Sequence, residues 1–81
     1  MSSTGWKRAA YDGAFGTALE SLRKRREEDP GFTPEDARGI LRHLYVQDGN
    51  DQGGRGELQD LVMQGTIDAH ERFIADWERE A

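Results

Sequence analysis

Few side chains in this sequence have the chemistry to act as a nucleophile, a general base or a soft metal ligand. There is no cysteine, and His43 and His70 are the only histidines. Ser2 and Ser3 lie in an N-terminal tail and Ser21 on a polar helical face, and no base can be assigned to any of them. His70 begins the string His70-Glu71-Arg72-Phe73-Ile74. A zinc-binding helix would need a second histidine at the fifth position, which Ile74 occupies. His70 is therefore read as a packing-edge histidine beside Phe73, Ile74 and Trp77, and His43 as a surface residue. The carboxylates are numerous, but they are spaced as solvated helical faces rather than as an isolated buried pair. No catalytic residue and no cofactor is expected, and the chain is not expected to be an enzyme.

The densest group of oxygen ligands is Asp48-Gly49-Asn50-Asp51-Gln52-Gly53. Its start matches a calcium loop of the EF-hand type, which wants oxygens at positions 1, 3 and 5 and glycine at position 6. The match then breaks down. Position 8 is Arg55, and position 12, where a bidentate glutamate closes the cation shell, is Gln59. Asp48, Asn50 and Asp51 remain as weak metal candidates. A turn linking two helices is the preferred reading of 48–56, with ligand or metal binding at 48–57 as the alternative function. Gly53-Gly54-Arg55-Gly56 follows a helix rather than a strand, the wrong setting for a phosphate loop.

Arg23-Lys24-Arg25-Arg26 is the one basic run. It sits where a helix C-terminus favours cations, and Glu27, Glu28 and Asp29 offset it at once. A solvated helix end, or a partner for an acidic helix, is expected there. The net charge is −5. Residues 1–29 hold six basic and five acidic groups, residues 30–81 five and eleven. Such a chain is not expected to bind nucleic acid or an anionic membrane. No apolar run approaches a membrane span, and Met1 to Tyr11 lacks the apolar stretch of a secretory signal, so the cytoplasm is the expected compartment.

Three helical stretches must carry these residues. The first is expected at about 4–28, with Thr4 as cap, an apolar face of Tyr11, Ala14, Phe15, Ala18 and Leu22, and a stop at Pro30. Gly13 and Gly16 leave open whether it is interrupted. The second is expected at about 34–47. Thr33-Pro34-Glu35-Asp36 starts it with a hydroxyl, a proline and two carboxylates, and Ala37, Ile40, Leu41, Leu44 and Tyr45 form its stripe. The third is expected at about 57–80. Leu58, Val62, Gly65, Ala69, Phe73 and Trp77 lie opposite a charged face. Two i,i+4 pairs, Glu20 with Lys24 and Asp68 with Arg72, are expected as support. Gly13, Gly16, Gly39 and Gly65 are read as points of close helix approach.

The expected fold is therefore all-α: one domain, a three-helix bundle with two long helices and one short. Its margin is thin. Leu, Ile, Val and Phe number 14 of 81 residues, about 17%, below the roughly 20% level at which disorder becomes a serious alternative. The third helix also has an apolar arc wider than one neighbour covers, because Met63, Ile67 and Ile74 lie beyond its main stripe. Trp6, Tyr11, Met63, Ile67 and Ile74 are accordingly the interface candidates. A homodimer that completes the bundle is the expected assembly, and a self-associating interaction or accessory protein the expected function.

Overall fold

The structure, a computed structural model, describes residues 4–50 and 56–80. It is all-α, with three helices in the order α1 (Thr4–Glu28), α2 (Pro34–Asn50) and α3 (Glu57–Glu80). Helix α1 is continuous through Gly13 and Gly16. The side chain of Thr4, expected to cap it, lies outside the described ones. Asp29 ends the helix. Its amide donates to the Arg25 carbonyl, its carboxylate accepts from the Gly31 amide at 3.0 Å, and its carbonyl accepts from the Phe32 amide. Helix α2 opens on a reciprocal box. The Asp36 amide donates to the Thr33 hydroxyl at 3.2 Å, and the Thr33 amide donates to the Asp36 carboxylate at 3.0 Å. Two donors that the helix itself leaves orphaned are satisfied in this way.

Helix α2 continues three residues past Gln47, to Asn50. The expected loop 48–56 thus begins as helix. Asp48 is half-buried on the same face as Leu41 and Leu44, so the last turn still has something to pack. A glycine one residue from a helix end costs little, because the turn it weakens is the one that frays anyway.

The packing order differs from the chain order. Lys7 reaches Glu57 at one end and Arg26 reaches Glu80 at the other, so α1 and α3 run parallel. Arg38 pairs with Glu78 and Tyr45 with Glu71, so α2 runs antiparallel to α3. Helix α3 packs against both, whereas α1 and α2 do not approach each other among the described residues. Helix α3 lies along the whole of α1, and α2 lies on the other flank of α3.

That central position explains the wide apolar arc. Gly65 and Ala69 turn toward α1, while Ile67 (4% exposed) and Ile74 (7%) are buried within the chain. The core gathers at the end where α1 turns into α2. Leu22, Phe32, Ala37, Phe73 and Ile74 form it, flanked by Leu19, Ile40, Leu41 and Trp77. Phe32, Phe73 and Trp77 make a ring triad with centroids 5.4–6.4 Å apart, the Phe73–Trp77 pair edge-on. Arg25 lies 4.5 Å over Phe32 and Arg26 4.4 Å over Trp77, closing this end with cations on ring faces.

Of the four glycines read as close approaches, Gly65 alone marks one. A Cβ there would lie 2.7 Å from the Tyr11 carbonyl oxygen, while Gly13, Gly16 and Gly39 have nothing within 4 Å.

Candidate functional site

Helix α3 presents two carboxylates to the flanking helices, and each is met by a phenol. Tyr11 on α1 donates to Asp68, and Tyr45 on α2 donates to Glu71. Asp68 also accepts from the Gln64 amide at 2.9 Å. The expected Asp68–Arg72 pair does not form. Arg72 turns the other way, to Asp76 at 3.0 Å, because Asp68 is engaged across the helix pair. Glu20 and Lys24 make no ion pair either.

Between these carboxylates sits His70, 7% exposed. Its Nδ1 lies 2.8 Å from the Thr66 carbonyl. A carbonyl only accepts, so Nδ1 carries the proton and donates. His70 is thus a packed, locally satisfied side chain, while His43 is exposed.

The phenol clamps have a pH consequence. The hydrogen bond to Asp68, then desolvation, pushes the Tyr11 phenol up from 10.0 to about 12, and the bond to Glu71 does the same for Tyr45. Both values are raised above those of an unfolded chain. The stability they contribute is therefore complete below about pH 10 and is lost as pH rises through 12. Absorbance titration at alkaline pH should show both tyrosines ionising about two units later than free tyrosine. Tyr11→Phe and Tyr45→Phe should each remove one of these late transitions. A titration midpoint near pH 10 for either tyrosine in the folded protein would contradict the clamp.

Two surface clefts flank α3. One, of about 430 Å³, lies between α1 and α3 and is lined by residues including Leu19, Arg26, Phe73, Trp77 and Glu80. Part of its polar rim is paired internally. Arg26 makes two bonds to Glu80, at 2.8 and 3.1 Å, which hold the Glu80 carboxyl below the usual carboxylate range. Arg72 and Arg79 both reach Asp76. Of the basic run, Arg26 reaches α3, Arg25 lies over Phe32, and Arg23 and Lys24 are exposed. The second cleft, about 390 Å³, lies between α2 and α3 over Leu41, Ile74 and Ala75.

Among the described residues no group of three or more His, Cys, Asp or Glu side chains could hold a metal ion. Of the weak metal candidates, Asp48 is half-buried at the end of α2. The Asn50 side chain and Asp51 lie outside the described residues. No described helix is long and apolar enough to cross a membrane.

The five interface candidates divide. Ile67 and Ile74 are covered within the chain, which corrects the reason for leaving them to a second copy. Tyr11 and Met63 are half-buried, and Trp6 is 45% exposed. The exposed large apolar side chains are instead Trp6, Tyr45 (47%), Val46 (58%), Leu58 (52%) and Val62 (42%). The start of α1, the start of α3 and the end of α2 carry them. Trp6, Leu58 and Val62 lie toward the end opposite the aromatic triad, whereas Tyr45 lies level with Glu71, close to Phe73 along α3. Leu58 and Val62 belong to the α3 stripe that the sequence assigns to the core.

The structure is thus an all-α three-helix bundle that leaves Trp6, Tyr45, Val46, Leu58 and Val62 exposed. No protein-family model matches the chain, and neither a curated protein nor a solved structure matches it.

Proposed function

We infer that this protein is a small helical interaction module that works by associating with itself. One observation carries the reading: among the described residues Trp6, Tyr45, Val46, Leu58 and Val62 remain 42–58% exposed, and no large side chain is completely buried. A chain of this size with so light a core is commonly stabilised by association.

Sedimentation equilibrium from about 1 µM to 1 mM tests this, a range that covers ordinary self-association constants. The expected species has twice the 9.2 kDa chain mass. A chain that stays monomeric across that range overturns the reading.

A further inference from the structure

We propose that residues 40–50, the distal part of α2, form a strap that opens from α3 as a unit, pivoting at Gly39 and latched by Tyr45 on Glu71, while α1 and α3 stay packed. Opening bares the face of α3 that carries Ile74. Self-association is not required for this, and sedimentation tests it separately.

The two ends of α2 are held differently. The first turn is fixed. Thr33 and Asp36 close the helix start, Ala37 is fully covered in one cluster with Phe32 and Ile74, and Arg38 pairs with Glu35 and Glu78. From Arg38 to Gly49 no residue is buried. Ile40, Leu41 and Leu44 are half-buried, and Tyr45 and Val46 are exposed. Among the described residues this stretch packs on α3 and not on α1. A segment with so few buried apolar contacts opens at lower free energy than the rest of its fold.

Gly39 stands directly after the anchored turn. A Cβ there would meet nothing within 4 Å, so packing does not demand glycine at this position. Glycine is the poorest helix former after proline, which puts a weak link between the anchor and the strap. Six residues on, the Tyr45 phenol donates to Glu71 across the seam. That charge-assisted bond must break before the strap can leave. Beneath it the seam is apolar: Leu41 and Ile74 line the cleft between α2 and α3. Ile67, Glu71, Ile74 and Glu78 recur at helical spacing and so share one face of α3, and α2 reaches both carboxylates on that face. The α1–α3 seam is closed more tightly. Gly65 meets the α1 backbone there, and Leu22, Ala69 and Phe73 are buried.

Native-state hydrogen exchange of the full chain, read residue by residue, tests the strap. Amides 43–49 should share one protection factor, on the order of 100-fold below those of residues 14–22 and 65–74. Tyr45→Phe should lower it about 10-fold further, the worth of a hydrogen bond to a charged group, and leave α1 and α3 within about twofold of the wild type. Gly39→Ala should raise it about fivefold. The chain has no cysteine, so Ile74→Cys introduces a single thiol. Its labelling should accelerate about 10-fold when Tyr45→Phe is added. Any of four results overturns the strap: protection at 43–49 equal to that of α3, a smooth decline toward Asn50 that marks ordinary fraying, an effect of Tyr45→Phe spread evenly over all three helices, or a thiol at position 74 indifferent to Tyr45→Phe.

Discussion

Gly65→Ala is expected to destabilise the protein by about 1–2 kcal/mol, although alanine is the better helix former by ~1 kcal/mol. The added Cβ would stand 2.7 Å from the Tyr11 carbonyl oxygen and 3.1 Å from the Phe15 amide nitrogen and the Ala14 Cβ. Two of these atoms are backbone, so no rotamer change relieves the contact. Helix α1 must move outward by roughly half an ångström or more to restore ordinary separation. That shift loosens the Tyr11–Asp68 bond and thins the packing along the α1–α3 seam. Gly65→Leu should cost more than ~3 kcal/mol, a large fraction of the roughly 4–12 kcal/mol available to a chain of this size. Gly16→Ala supplies the contrast. Nothing lies within 4 Å of its Cβ position, so helix propensity acts alone and stability should rise by about 0.5–1 kcal/mol. Urea denaturation of the three variants at one protein concentration reads both signs. A Gly65→Ala protein as stable as the wild type would show that α1 and α3 do not meet backbone to backbone at this point.

Those two glycines also show how far the sequence could be read. Both sit inside helical stretches, and nothing local separates the one that touches a neighbour from the one that faces water. Local chemistry was legible. Thr33-Pro34-Glu35-Asp36 specifies a helix start, and the bonds of Thr33 and Asp36 make it. Asp29-Pro30-Gly31 specifies a stop. What depends on topology was not legible. The arc of α3 that includes Ile67 and Ile74 is too wide for one neighbour, but a periodic pattern does not say whether the second neighbour belongs to the same chain. It does: α3 lies between α1 and α2. Conversely, Leu58 and Val62 share the stripe of Phe73 and look like core. They are exposed although Gly65 and Ala69, on the same stripe, are buried. The phenol clamps were hidden because tyrosine at an apolar position reads as packing, and because Asp68 had a plausible partner in Arg72 four residues on.

Phe73→Ala should be the most damaging single truncation, costing about 3–5 kcal/mol. Phe73 is 4% exposed and touches both other members of the triad, Phe32 at 6.4 Å and Trp77 at 5.4 Å between centroids. Its removal opens a cavity at the one place where α1, the turn and α3 meet. Arg25 and Arg26 lie on the remaining rings, and their charged heads leave little room for the site to collapse inward. The half-buried Phe15 should cost about half as much when truncated, since a neighbour is lost on one side only. Thermal denaturation monitored by the red shift of Trp77 emission, in a Trp6→Phe background, follows this end selectively. A Phe73→Ala protein that melts where the wild type does would show that the triad does not hold this end together.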